Sequence, residues 1–273
     1  MGNDDNYSSC QDGSVALNSR LSAADPISLP ARSATPSNDA RAWMKYERAQ
    51  RIVGRSKILR RLTIGLFSRL ELLILRGHKK HSTLSRIRRC RRHAESLMTG
   101  SEAFILHSLT QSQESLGAAM AELGVYEGSS AQIICEAKGD SPLYLFDTFA
   151  GLPKPGPDET RWLKQGQYSA SFAAVEDRLC AYRSVRLRPG LFPESTVGMG
   201  DVQFSMVHLD ADLYSSTLAG LEYFYPRMVS TGIILLHDYS TLPGVAQAVT
   251  EYLSSKREAV IELPTTQAMI VVR

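Results

Sequence analysis

Long apolar runs, paired cysteines and phosphate-cradling glycine loops are all missing from this sequence, and each absence excludes a class of protein. The most apolar window, "LTIGLFSRLELLIL" (Leu62 to Leu75), is short and carries Arg69 and Glu71, so it is no bilayer-spanning helix. The four cysteines, Cys10, Cys90, Cys135 and Cys180, form no C-x-x-C pair. That argues against a disulfide framework or a thiolate zinc site and for a reducing, cytoplasmic setting. Cys135 and Cys180 lie in apolar-periodic surroundings and are expected to pack as small buried hydrophobes. The opening "MGNDDNYSSCQDGSVALNSR" is acidic and has no apolar stretch, which argues against a secretory signal and against a transit peptide. There is no G-x-G-x-x-G string and no Walker lysine, so neither a pyrophosphate nor a triphosphate has an obvious cradle.

Charge is not scarce, but its even distribution is. The 273 residues sum to only +3. Residues 41–98 hold 17 Lys/Arg against 3 Asp/Glu, residues 1–40 hold 2 against 5, and residues 99–273 hold 12 against 20. Three segments follow: an acidic, Ser/Asn/Pro-rich tail over 1–40 that reads as disordered, a basic helical extension over 41–98, and an acidic domain over 99–273. In the basic segment, "RAWMKYERAQRIVGRSKILRRL", "LFSRLELLILRG" and "TLSRIRRCRRHAESLM" have helical periodicity. Such a block can bind nucleic acid or anionic lipid. With few aromatics, it fits better as a cap on the acidic domain, a lid or a subunit contact in a homo-oligomer.

After residue 99 the pattern alternates. The strands "AAMAELGV", "LYLFD", "SVRLRPG", "VQFSMVHLD" and "GIILLH" are interleaved with helical stretches, except between the third and fourth. "VIELP" and "QAMIVVR" close the chain without a helix between them. This predicts an α/β fold with a mostly parallel sheet, helices on both faces, and an antiparallel pair at one edge.

In such a sheet, ligands bind beyond the carboxyl ends of the strands. The residues at those ends are Glu122, Gly124, Gly128, Asp147, Asp210, Asp212, His237 and Asp238, five of them acidic. Crowded carboxylates are unfavourable unless a cation or ligand donors compensate them. "ELGVYEGSS" is a strand-to-helix turn whose glycines let backbone approach a ligand and whose Glu122 can accept hydrogen bonds from it. The same string also suits a plain tight turn with a surface Glu. Asp147, 19 residues after Gly128 and ending the next strand, has the spacing of a ribose-binding carboxylate. Together they indicate a nucleoside cofactor without a pyrophosphate. Asp210 and Asp212 flank Ala211, and in extended backbone both would point the same way. With His237-Asp238 on the next strand they could hold Mg²⁺ or Mn²⁺ and leave one carboxylate as general base. Asp212 could instead cap the following helix.

The segments "AELGVYEGSSA", "LYLFDTFAGLP", "HLDADLYSSTLAGLEYFYPRMVSTGIILLHDYS" and "GVAQAV" occur in that order. In this the chain resembles the macrocin O-methyltransferase family, S-adenosylmethionine-dependent enzymes that methylate sugar hydroxyls of natural-product glycosides. The likeness covers roughly residues 100–273. It implies a Rossmann-like class I methyltransferase fold, seven strands with the last reversed, and a Mg²⁺ that grips the acceptor. Carried over by motif, Glu122, Gly124, Gly128, Ser130 and Asp147 would bind S-adenosylmethionine. Asp210, His237 and Asp238 would ligate metal, and Asp212 would take the hydroxyl proton. The acceptor would be a glycoside or polyol. Two positions depart from the family pattern: Ser129 stands where Gly is frequent, and His237 where an acid is common. The imidazole suits softer metals and removes a negative charge, so His237 could be a ligand, a second base or an acceptor contact. Catechol-type methyltransferases place a Lys after the metal Asp. Here Leu213 and Tyr214 follow, and no Lys lies between Lys164 and Lys256, which favours a carboxylate base. A non-catalytic binding protein on the same fold is the remaining alternative. Acceptor specificity is expected in the loop "LPKPGPDETRWLKQGQYSASF", with Trp162 and Tyr168 as stacking candidates, and in the N-terminal helices.

Overall fold

The computed structural model describes residues 57–92, 94–157 and 159–273. The tail over 1–40 and most of the first expected helix lie outside the described residues.

Among the described residues the chain begins with three helices, α1 (Lys57–Leu75), α2 (His81–Cys90) and α3 (Gly100–Gln113). Strand and helix then alternate: β1 (Ala119–Leu123), α4 (Ser129–Cys135), β2 (Leu143–Asp147), α5 (Phe172–Leu179), β3 (Val185–Pro189), β4 (Phe204–Leu209), α6 (Tyr214–Phe224), β5 (Met228–Leu236) and α7 (Pro243–Leu253). The short β6 (Ile261–Glu262) and β7 (Ala268–Val271) end the fold. The sheet order is β3-β2-β1-β4-β5-β7-β6. Strands β1 to β5 pair in parallel, whereas β7 runs antiparallel to both β5 and β6. Strand order therefore reverses between β1 and β4, the switch point where open α/β sheets form their clefts.

Alternation along the strands builds two cores. Met120, Leu143, Leu145, Met206 and Leu235 face one side, with Leu72 of α1, Ile87 of α2, Leu106 of α3 and Ile133 of α4. Ala121, Phe146, Val207 and Leu236 face the other, with Leu221 and Phe224 of α6 and Val249 of α7. The described part of the basic segment thus shares a core with the acidic domain. Arg89 of α2 also grips Glu136, which accepts both guanidinium bonds at 3.0 Å and a third from the Tyr182 hydroxyl at 2.7 Å.

Several local expectations change. The helix α1 runs unbroken through Gly65, where the sequence pattern divides into two helices. α2 stops at Cys90, short of the expected Met98. There the Arg91 guanidinium binds the Ser68 hydroxyl and the carbonyls of Met98 and Thr99, and so turns the chain back. α6 ends at Phe224, because Pro226 lies in the short 3-10 turn that follows and cannot continue an α-helix. Cys90 and Cys135 are buried free thiols, but Cys180 is exposed just past α5, so burial fails as a description of that cysteine. α1 also turns Leu62, Leu66, Phe67, Leu70, Leu73 and Ile74 outward, each more than half exposed. No helix among the described residues is long and apolar enough to cross a membrane.

Candidate active site

The parallel ladder continues past the ends of β4 and β5. The Asp210 N–H donates to the Leu123 carbonyl at 2.9 Å, and the His237 N–H donates to the Leu209 carbonyl at 2.8 Å. Those two bonds bring the tips of β1, β4 and β5 side by side. Gly124 permits the approach: its φ is +92°, and a Cβ there would lie 1.9 Å from the Asp210 carbonyl oxygen. The glycine expected to admit a ligand admits Asp210 first.

The His237 ring lies between two carboxylates. Its Nδ1 is 3.2 Å from Asp210 Oδ1 and 3.0 Å from Asp238 Oδ2. Burial opposes the imidazolium charge, yet Asp210 and Asp238 outweigh it and hold His237 well above its ordinary value. Burial likewise opposes the Asp210 charge, and His237 outweighs it, leaving that carboxyl below its usual range. The Asp238 Oδ1 accepts from the Thr241 hydroxyl at 2.7 Å, which fixes the carboxylate's other edge.

Asp212 is reached differently from the expected route. Its backbone is left-handed, with φ +60°, rather than extended. Asp238, at φ +54°, shares that sparsely populated conformation, which recurs where side chains are re-aimed at functional sites. Asp212 does not cap α6. The Glu159 carboxylate does so instead, accepting from the Tyr214 N–H at 2.7 Å. Burial, then the charges of Asp210 and Asp238, push the Asp212 carboxyl well above its usual range.

A fourth acid, which sequence reasoning missed, closes the cluster. Glu102 of α3 points its Oε2 at His237 Nε2 from 3.8 Å. Its Oε1 accepts from the Thr266 hydroxyl at 2.6 Å, and its Oε2 from the Thr99 N–H at 2.7 Å. Thr99 and Glu102 form a capping box, and that T-x-x-E spacing was the available signal. The signal locates a helix start, but says nothing of the far end of the sheet that Glu102 meets. Burial opposes its charge, but His237 and these donors outweigh that and hold Glu102 well below its ordinary value.

The acids at β1 and β2 are arranged otherwise. Glu122 is fully buried inside the sheet and pairs with His208 Nδ1 at 2.9 Å, so it forms no wall of the cleft. Burial pushes its carboxyl up against the pull of His208 and Ser130. Ser130 is buried and Gly128, at φ +80°, packs 3.2 Å from Val175 at its would-be Cβ; neither lines the cleft. Asp147 does reach the cleft, but its oxygens accept from the N–H groups of Val125, Tyr126 and Phe149 at 2.7, 2.8 and 2.6 Å. A carboxylate offers about four acceptor positions, so one remains for a ligand hydroxyl.

The cleft itself has a volume of about 380 Å³, within the range of small-molecule sites. Asp210, Asp212, His237 and Asp238 form one end; Gly124 and Asp147 border it, and Tyr126, Trp162 and Tyr168 supply aromatic wall. Trp162 also packs against the cluster of Leu163, Leu213 and Leu242. The donor atoms of Asp210, His237 and Asp238 lie within 4.8 Å of one another. Two ligand atoms at right angles, each about 2.1 Å from a cation, are about 3.0 Å apart, so the His237–carboxylate edges suit a divalent ion.

The family model for macrocin O-methyltransferases (TylF) matches residues 97–267, more than half of the chain. The chain belongs to that family. Among its curated relatives, the Streptomyces olivaceus 8-demethyl-8-(2,3-dimethoxy-alpha-L-rhamnosyl)-tetracenomycin-C 4'-O-methyltransferase is 27% identical over 149 residues, 49% of this chain and 57% of the relative. The Micromonospora griseorubida mycinamicin III 3''-O-methyltransferase is 28% identical over 149 residues, 48% of this chain and 58% of the relative. The chain therefore spans a little over half the length of the curated relatives it matches. Of solved structures, the O-methyltransferase NovP superposes with a TM-score of 0.57 at 19% identity, covering 77% of this chain and 98% of that one. A calicheamicin methyltransferase superposes with a TM-score of 0.57 at 18% identity, covering 74% of this chain and 90% of the other. These two likenesses carry the fold and nothing finer.

Proposed function

We propose that the chain is an S-adenosylmethionine-dependent O-methyltransferase that methylates a sugar hydroxyl of a glycosylated natural product. The observation that carries this reading is the convergence of Asp210, Asp212, His237 and Asp238 at one end of a cleft bordered by Gly124 and Asp147. The names of the two curated relatives, each an O-methyltransferase acting on a natural product, support the acceptor class.

The methyl donor supplies an already activated carbon, so the work left to the protein is alignment. Asp147, with its remaining acceptor position, and the backbone around Gly124 would hold the donor. Asp210, His237 and Asp238 would hold a divalent cation, which when bound lowers the pKa of a hydroxyl it contacts. Asp212 takes the hydroxyl proton. Its raised affinity for protons suits that role, since a general base works best when its pKa approaches the working pH. The aromatic wall of Trp162 and Tyr168 would bind one face of the acceptor's ring.

Transfer of labelled methyl from S-adenosylmethionine to a panel of glycosides and their phenolic aglycones tests this. Activity on glycosides is expected. Activity on aglycones alone would favour a catechol-type enzyme. Failure of the full chain to bind S-adenosylmethionine by calorimetry would return it to the role of a binding protein.

A further inference from the structure

His237 is the one nitrogen donor among the candidate cation ligands, and carboxylates lie near both of its ring nitrogens. Nδ1 faces Asp210 and Asp238 at 3.2 and 3.0 Å. Nε2 is buried with no hydrogen-bond partner, and the Glu102 carboxylate lies 3.8 Å from it. Glu102 is itself held from behind by Thr99 and Thr266. It arrives from α3, an element that contributes nothing else to the acidic cluster, and it is 2% exposed. With a cation on Nδ1 the ring proton would be left on Nε2, and Glu102 is the carboxylate that faces that nitrogen.

We propose that Glu102 is a positioning residue that fixes the His237 tautomer, so that a cation is bound through one nitrogen and two carboxylates, and that this donor set selects Mn²⁺ and its transition-metal neighbours over Mg²⁺. The inference rests on the reading of the site as cation-assisted. Mg²⁺ prefers an all-oxygen shell, whereas imidazole suits the first-row metals. An acid at position 237 would leave the site all-oxygen, and Glu102 would then add only repulsion. The pairing of a histidine at 237 with a buried acid aimed at its distal nitrogen is the feature that gives both residues a purpose.

The test measures Mn²⁺ and Mg²⁺ binding to the full chain by calorimetry and records the electron spin echo modulation of the Mn²⁺-loaded protein. Wild type should show a directly coordinated nitrogen. His237→Asp should lose that signal and lower the ratio of Mn²⁺ to Mg²⁺ affinity by at least about tenfold. Glu102→Gln keeps the helix cap, which circular dichroism melting verifies, and should weaken Mn²⁺ binding roughly 10- to 100-fold. Absence of nitrogen modulation in wild type overturns the proposal, as does an unchanged Mn²⁺ affinity in Glu102→Gln. Binding of Mg²⁺ by His237→Asp with no ion bound by wild type also overturns it, while leaving the cation-assisted reading of the fold intact. If neither protein binds any divalent ion, both fall, and methyl transfer without metal decides the O-methyltransferase reading separately.

Discussion

The two halves of the sheet both end in acids, and they satisfy them in opposite ways. At β1 and β2, Glu122 is sealed against His208 and Asp147 is occupied by three backbone N–H groups. Those carboxylates find most of their partners within the fold. At β4 and β5, Asp210, Asp212 and Asp238 crowd one another around a single imidazole. The folded chain offers them too few donors, and an arrangement that leaves charge uncompensated is where a ligand gains most. Equal sequence signals, an acid at a strand end, thus correspond to carboxylates largely satisfied by the fold on one side of the switch point and to crowded ones on the other.

That contrast can be broken at several places. Asp210→Ala removes a proposed cation ligand and a His237 partner together, and methyl transfer should fall roughly a thousandfold, in line with the several kcal/mol a bound cation supplies. A steady-state assay at saturating donor checks it, and a loss below tenfold would assign Asp210 to structure. Gly124→Ala forces a side chain into left-handed backbone and into the Asp210 carbonyl. It should cost at least about 1–3 kcal/mol of stability, read from the denaturant midpoint, and should carry activity down with it by displacing Asp210. The pH profile sharpens the comparison further. Burial and two neighbouring acids raise the Asp212 carboxyl, so with Asp212 as base the rate should climb with pH, about tenfold per unit below its pKa, and level off above the ordinary carboxylate range. A plateau already reached at an ordinary carboxylate value would contradict the role given to Asp212. The smallest effect is expected at Arg89→Ala on the exposed face of α2. Its ion pair with Glu136 leaves the guanidinium largely in water, so thermal melting and activity should both stay close to wild type.

The sheet was readable from the sequence because its strands are continuous apolar runs punctuated by turns, and because β6 and β7 follow one another without a helix. Strand-end position located Asp147, Asp210, Asp212, His237 and Asp238 at the cleft for the same reason. The burial of Glu122, Gly128 and Ser130 was not readable. Whether an acid at a strand end faces the cleft or the sheet interior depends on the partner strand's register, here Glu122 opposite His208. The case of Glu102 is similar: a contact 135 residues long in sequence, to His237, leaves no local trace beyond a helix cap. Helix ends went wrong where tertiary bonds overrode periodicity, as Arg91 does after Cys90.

Asp212→Asn and Asp147→Asn, compared in parallel for methyl-transfer rate and melting temperature, test the central contrast most directly. Because the folded chain holds the Asp212 proton more tightly than the unfolded chain does, ionisation of that group lowers stability as pH rises out of the carboxylate range. Asp212→Asn should therefore melt at or above the wild-type temperature at neutral pH while losing roughly 10²- to 10⁴-fold in rate. Asp147→Asn turns an amide N–H₂ toward backbone N–H donors and should lose about 1–3 kcal/mol of stability. The opposite pattern, an Asp212→Asn protein that melts early yet turns over normally, would contradict the account.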